Sequence, residues 1–182
     1  GVWGPHRSPS GASMEHISKA YNQVLQWNPI EPGKIIGDLA QSWEATDGGN
    51  TYIFRIHPGI RWWDGKDLTA EDVAFSINRM IEPEEPRPRA GIIRTYVESA
   101  KAIAPLSVEV SLKYPAAAFF SYMASDYLKI IPKHIVEAGI EINNFDNLMG
   151  SGPFKPTEFV QGDVVRYVRN DDYFKGDLPY FE

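Results

Sequence analysis

The run at 62–76, WWDGKDLTAEDVAFS, constrains the fold of this chain more than any other part of the sequence. Gly65 tolerates a positive φ, and Asp64 can accept a hydrogen bond from the backbone two residues on, so this pair reverses the chain. Thr69 is a good N-cap whose hydroxyl can accept an amide of the first helical turn. The acidic residues after it favour the positive end of a helix dipole. The run therefore predicts a tight turn followed by an amphipathic helix over about 70–81.

Alternation of apolar and polar residues predicts strands at 51–56, 107–113, 154–160 and 164–168. Turn residues at 47–50 and 161–163 make hairpins of the strands that they adjoin. A short strand or turn is expected over 35–45, with Trp43 as an anchor.

The rest of the chain predicts short helices and loops. Gly, Pro and Ser residues predict loop or extended chain over 1–13. A helix follows, with Ser13 as a possible cap and an apolar face made of Ile17, Tyr21, Val24 and Leu25. The sequence further predicts a proline-rich surface linker at 82–89, a helix at 116–123, a strand at 128–132 and a helical turn at 133–138.

The composition is that of a folded domain and excludes several classes of site. The 182 residues are 43% hydrophobic and 23% charged. The chain has no cysteine, which rules out disulfides, iron–sulfur clusters and thiol nucleophiles. The formal charge of −6, without a basic stripe, argues against nucleic acid as a partner. No apolar run is long enough to cross a bilayer.

No residue pattern points to an enzyme, a metal or a cofactor. The histidines, His6, His16, His57 and His134, form no metal-binding spacing. The acidic residues near the 62–76 turn suggest either a divalent cation site or turn and cap roles, and the second explains their positions. They are Asp64, Asp67, Glu71 and Asp72. Gly150 and Gly152 flank a serine, but Pro153 removes an amide, so this segment is a poor phosphate cradle.

Further blocks surround the run at 62–76, and together they carry a family resemblance. They read GDLAQSWEA at 37–45, DGGNTYIFRI at 47–56, PGIRW at 58–62, GSGPFK at 150–155 and RNDDYFKG at 169–176. In this order and spacing they resemble the extracytoplasmic solute-binding proteins of ABC importers, of the large peptide, oligopeptide and nickel type (family 5). The departures are Gly37 in place of proline, Trp63 where an aromatic residue or histidine is common, Ser151 in place of threonine and Phe154 in place of tyrosine.

The resemblance implies the fold class and its division. An α/β (mixed α+β) fold is expected, as part of lobe I of a periplasmic-binding-protein-like type II fold with the extra subdomain of the peptide-binding family. Residues 1–26 and 150–182 would belong to ligand-binding lobe I, and 27–149 would form the inserted subdomain. Family members are more than twice as long, so the second lobe and the C-terminal return are expected to be absent from this chain.

The resemblance also implies a function: solute capture for ABC-transporter import, with a peptide as the expected solute. The implied partners are the solute and the importer permease, with no nucleic acid and no cofactor. Membrane association would come only through the permease or a removed lipid anchor, and the location would be periplasmic or at the cell surface. The alternatives are a solute-sensing module of a regulator, which a helix-turn-helix ahead of Gly1 would favour, and a standalone interaction domain.

The implied ligand contacts lie at two places. The loop before the first helix maps to Ser10, Gly11 and Ala12, where small residues leave backbone amides accessible; the alternative is a flexible connector. Tyr96 follows the proline-rich linker, from which the family's subdomain reaches the rim of the cleft. Its alternative role is packing against the strand at 107–113.

Overall fold

A computed structural model describes residues 3–7, 11–84, 87–176 and 178–179, with the backbone alone for 11–13. The α-helices of the described residues are α1 (Gly11–Ile17), α2 (Ala70–Ile81), α3 (Ala90–Tyr96), α4 (Ala118–Met123) and α5 (Lys133–Glu137). The strands are β1 (Leu25–Trp27), β2 (Ile35–Gly37), β3 (Ala40–Thr46), β4 (Thr51–Ile56), β5 (Val97–Ala104), β6 (Ser107–Leu112), β7 (Phe154–Val160) and β8 (Val164–Arg169). Short 3₁₀ helices occupy Asp47–Gly49, Asp126–Leu128 and Phe145–Asn147. Within these ranges no helix has both the length and the apolarity to cross a membrane.

Antiparallel pairing organises the strands into a four-stranded sheet and two hairpins. The sheet has the order β3-β4-β6-β5. Trp43, Phe54 and Val108 lie opposite one another across its first three strands. The hairpins are β1-β2 and β7-β8. The strands predicted at 51–56, 107–113, 154–160 and 164–168 are therefore confirmed.

The predicted turn and helix at 62–81 are both present. Gly65 has a φ of +84°, and the Lys66 amide donates to the Asp64 carboxylate at 3.1 Å. Thr69 is the N-cap of α2 and forms a capping box with Asp72, whose carboxylate accepts the Thr69 amide at 3.0 Å. The local chemistry of this run thus determines its structure.

Two apolar clusters stabilise the fold. The larger one lies between the four-stranded sheet and α2, and its fully buried members include Phe54, Trp62, Ile77 and Val108. The smaller one joins α1 to the segments around 131 and 142, with the β7-β8 hairpin packed against it. Trp63 belongs to the edge of this smaller cluster and is half-buried. Trp62 is therefore the tryptophan of this pair that lies in the core.

Three predictions are wrong: the start of the first helix, the helical placement of Val24 and Leu25, and the strand at 128–132. Helix α1 begins at Gly11, ahead of the predicted cap, and ends at Ile17. Val24 and Leu25 are buried, but they face the core from the β1 segment, where the Val24 carbonyl accepts the amides of Asp38 and Ala40. Residues 128–132 form no extended strand. Lys129 there makes an isolated bridge to Gln23.

Candidate functional site

The predicted ligand contacts lie in different parts of the structure. Ser10 falls outside the described residues. Gly11 and Ala12 are the first two residues of α1. Tyr96 ends α3, and its half-buried ring packs edge-to-face against Tyr114 with centroids 6.0 Å apart. The Tyr96 carbonyl accepts the Lys113 amide at 2.8 Å, so this residue also ties α3 to the end of β6.

Tyr96 lines an open cavity of about 360 Å³ between α3 and α4, called here the tyrosine cavity. Most of its wall is apolar or aromatic, from Ile92, Tyr96, Ala118, Tyr122 and Tyr127, and polar groups come from Arg89, Ser121 and Ser125. Tyr96 thus lies among other aromatic side chains, in a helix different from the one that contains Gly11 and Ala12.

Arg89 defines the electrostatics of the tyrosine cavity. Its guanidinium lies over the ring of Tyr127, 4.2 Å from the centroid. The Tyr122 hydroxyl donates to the Arg89 carbonyl at 3.2 Å. Burial raises the pKa of Tyr122, while the positive charges of Arg89 and Arg94 oppose that rise. The cavity thus combines aromatic walls with a positive field.

A second cavity, of about 340 Å³, is polar, and its wall includes Asn22, Gln23, Trp27, Asp38, Lys129 and Tyr173. The buried carboxylate of Asp38 forms part of the wall of this polar cavity. The Asn22 amide donates to both oxygens of Asp38 and to the Tyr173 hydroxyl, each at 3.1 Å. The Gln23 backbone amide adds a bond of 2.9 Å, and Lys175 forms an ion pair with Asp38.

Lys129 is the buried cation of the polar cavity, and the side chains that bind its ammonium belong to the wall of the same cavity. Its ammonium donates to the Gln23 side chain and pairs with Asp126, both at 2.7 Å. The His6 imidazole donates through Nε2 to the Lys129 carbonyl at 2.7 Å, and burial lowers the pKa of His6 to about 3. The charges here neutralise one another, as expected of a structural junction where chain segments meet.

The acidic residues near the 62–76 turn have separate partners. Asp64 accepts the His134 ring nitrogen at 2.8 Å, and Glu71 pairs with Lys133. Partial burial alone would raise the pKa of Asp64, but hydrogen bonds from the Lys66 amide and from His134 outweigh it and lower that pKa. The carboxylates thus act in the turn, the helix cap and ion pairs, as the second of the two interpretations predicts.

Within the described ranges, no three His, Asp or Glu side chains converge as metal ligands. The tyrosine cavity contains no nucleophile paired with a base among its described lining residues. The chemistry of the tyrosine cavity suits a ligand that carries an apolar group beside an anion.

No local pattern in the sequence points to Arg89, Tyr122 or Tyr127 as site residues. Arg89 ends a proline-rich segment whose composition predicts a solvent-exposed linker. Tyr122 belongs to a short apolar segment whose composition predicts a buried helix. Their convergence depends on the packing of α3 against α4, for which one sequence offers no local signal.

Residues 34–182 match the family described as bacterial extracellular solute-binding proteins, family 5 Middle. The oligopeptide-binding protein AppA of Bacillus subtilis is 36% identical over an alignment of 150 positions, which covers 79% of this chain and 27% of AppA. The dipeptide-binding protein of Escherichia coli is 27% identical over an alignment of 199 positions, which covers 98% of this chain and 37% of that protein.

The fold agrees with these sequence relationships. The structure of Bacillus subtilis AppA in complex with a nonapeptide superposes with a TM-score of 0.86 at 28% identity, over 97% of this chain and 35% of AppA. The chain thus spans about a third of the length of these relatives. The mixed α/β fold expected from the sequence is confirmed. This chain belongs to the bacterial extracellular solute-binding proteins of family 5.

Proposed function

We propose that this chain is part of lobe I of an extracytoplasmic protein that captures a peptide or a comparable small solute and delivers it to an ABC importer. The observation that carries the proposal is the match over residues 34–182 to a family of extracellular solute-binding proteins. The structural likeness to a nonapeptide complex supports a peptide as the solute. The family is one of binding proteins, so the expected role involves no chemical conversion.

The proposed mechanism is capture between two lobes. An open form binds the solute, the lobes close over it, and the importer permease recognises the closed form. Residues 1–26 and 150–182 would contribute to lobe I, with 27–149 as the inserted subdomain. In support, the four-stranded sheet and α2 lie wholly within 27–149, whereas α1 and the β7-β8 hairpin lie outside it. The smaller apolar cluster, to which Ile131 and Ile142 belong, would join the two parts.

The first test is native mass spectrometry of the full-length protein that contains this chain, purified gently with any bound solute. A ladder of bound masses that correspond to short peptides would support the proposal. One discrete non-peptide mass would replace the peptide with another solute class. Absence of any bound mass, together with no thermal shift in a panel of peptides from two to nine residues, would overturn it in favour of the sensor or interaction-domain alternatives.

The proposed contact residues are Ser10, Gly11, Ala12 and Tyr96. Tyr96→Ala should weaken peptide binding measured by calorimetry, because it removes an aromatic wall of the tyrosine cavity. Tyr114→Ala is the matched control, since it removes the ring packed against Tyr96 without removing part of the cavity lining. Equal losses in the two variants would assign Tyr96 a packing role instead.

A further inference from the structure

Arg89 differs from the paired arginines of this protein. Arg55 and Arg166 each bind a glutamate on the neighbouring strand, at 2.7 and 2.6 Å. No described carboxylate pairs with Arg89, whose guanidinium instead lies on the ring of Tyr127 at the edge of the tyrosine cavity. An arginine held in this way presents its planar donors to a ligand.

The backbone of Arg89 is held in a conformation that costs energy. Its φ is +61° and its ψ is 4°, in the left-handed region, which residues other than glycine adopt rarely. The Tyr122 hydroxyl, bonded to its carbonyl, and the contact with Tyr127 hold it there. Strain of this kind concentrates where a side chain must be aimed at a ligand.

The wall beside Arg89 suits an apolar group of limited size. Ile92 is 51% exposed, and the rings of Tyr96 and Tyr127 are half-buried along the same opening. A volume of about 360 Å³ lies at the lower end of the range for small-ligand sites. The cavity can therefore hold one residue-sized apolar body, with an anionic group at Arg89.

We propose that the tyrosine cavity binds the C-terminal residue of a peptide, with its apolar side chain against Tyr96 and Ile92 and its α-carboxylate on Arg89. In a linear peptide of apolar residues, only the C-terminal residue carries an anion and an apolar side chain on the same Cα. Charge complementarity selects this end, because the α-ammonium of the N-terminal residue would be repelled by the guanidinium. The inference rests on the proposed function and adds the polarity of peptide recognition to it.

The test compares Ala-Ala-Phe, its C-terminal amide and Ala-Ala-Ala by titration calorimetry against the full-length protein. The wild type should bind the free acid roughly tenfold or more tightly than the amide, since a charge-assisted bidentate contact is lost in the amide. It should also prefer Ala-Ala-Phe to Ala-Ala-Ala. Arg89→Gln should abolish the preference for acid over amide.

Two control variants separate the effect of the Arg89 guanidinium from that of removing any arginine and from that of a positive charge alone. Arg61→Gln removes an exposed arginine that does not line the cavity, and it should keep the acid preference. Arg89→Lys should retain part of that preference, because it keeps a point charge without the planar fork.

Peptide binding in which Arg89→Gln still prefers the acid as strongly as the wild type would overturn this inference and leave the proposed function intact. Failure of the wild type to bind any of these peptides, or the wider two-to-nine-residue panel, would overturn both.

Discussion

At the scale of single residues, Gly152 shows how the absence of a side chain holds two distant segments together. A Cβ at this position would lie 2.5 Å from the Ala20 carbonyl carbon and 2.5 Å from the Lys19 oxygen, both backbone atoms. The Gly152 amide donates to the Ala20 carbonyl at 2.9 Å across the same contact. The glycines of the 150–155 block therefore serve close approach of two backbones rather than binding of phosphate.

We expect Gly152→Ala to destabilise the fold by about 1–3 kcal/mol, because backbone on both sides must move to admit the methyl group. Urea unfolding followed by tryptophan fluorescence would measure this change. Gly91→Ala is the control, since a Cβ there meets nothing within 4 Å and lies in α3. That variant should be neutral or slightly stabilising. Equal stability of the two variants would contradict the close approach.

His6 is a buried histidine whose neutral form the fold requires. Its pKa falls from 6.5 to about 3, chiefly through burial. Between these values the unfolded chain binds the proton and the folded chain does not. The contribution of neutral His6 to the free energy of unfolding is therefore fully present above pH 6.5 and is lost as the pH falls toward 3.

We expect the burial of His6 to lower the free energy of unfolding by about 2–3 kcal/mol when the pH falls from 7 to 4.5. His6→Gln should remove this part of the pH dependence. The free energy of unfolding in urea at the two pH values would measure it. His16→Gln, at an exposed position, is the matched control and should leave the dependence unchanged. A wild-type pH dependence that persists in His6→Gln would show that other groups cause it.

At the scale of elements, Asp72 links helix α2 to two other segments. One carboxylate oxygen accepts the Thr69 amide and, at 3.4 Å, the Trp62 indole N–H. The other oxygen accepts the Lys133 amide at 2.9 Å, at the start of α5. Asp72 is 6% exposed and Trp62 is 2% exposed, so the buried indole N–H would lose its partner without this carboxylate.

Asp72→Ala should therefore cost about 2–4 kcal/mol of unfolding free energy, from the lost cap and the buried indole N–H left unpaired. Glu71→Ala, one residue earlier, removes an exposed carboxylate that pairs with the Lys133 side chain and should cost less than about 1 kcal/mol. Thermal and urea denaturation of the pair would measure the difference. Similar costs would mean that Asp72 acts only as a surface charge.

The elements that the sequence predicts well are those with a strong local signal. Helix α2 has a cap, a turn before it and an apolar face, and its bounds agree with the structure. The sequence of β5 lacks the alternation of apolar and polar residues that predicts a strand. Most of its residues are exposed, and its pairing with β6 is irregular after Val97 and after Ala102. The residues around Val24 satisfy a helical period, but pairing with the 38–40 segment outweighs that preference.

At the scale of the whole molecule, the Asp38 network ties together segments that are far apart in sequence. Asp38 is bonded to Asn22 and to Lys175, and the Ser151 hydroxyl donates to the Asn22 side chain at 3.1 Å. The N-terminal segment, the end of β2, the 150–155 block and the 169–176 block thus meet at one buried polar site. Such a network specifies a single relative placement of these segments.

Asp38→Ala should destabilise the protein by about 3 kcal/mol or more, because it leaves buried donors unpaired. Lys175→Ala should cost less, since the Lys175 side chain is 24% exposed and the carboxylate keeps its amide donors. A double-mutant cycle of this pair, with hydrogen exchange across 169–176, would measure the coupling. Additive effects in the cycle would show that the ion pair contributes nothing.

The candidate site was predictable only in part. The resemblance indicated Tyr96, but not the wall that surrounds it, because Arg89, Tyr122 and Tyr127 come from separate elements. Their role depends on how α3 lies beside α4.

The sequence by itself determined the family, the capped helix, the hairpins and the absence of cysteine chemistry. These follow from turn residues, caps and periodicities that act over a few neighbouring positions. The tertiary structure alone decided which polar groups are buried together at Asp38 and which aromatic rings surround Arg89. Burial and long-range pairing set those contacts, and their energies depend on neighbours more than 30 residues away along the chain.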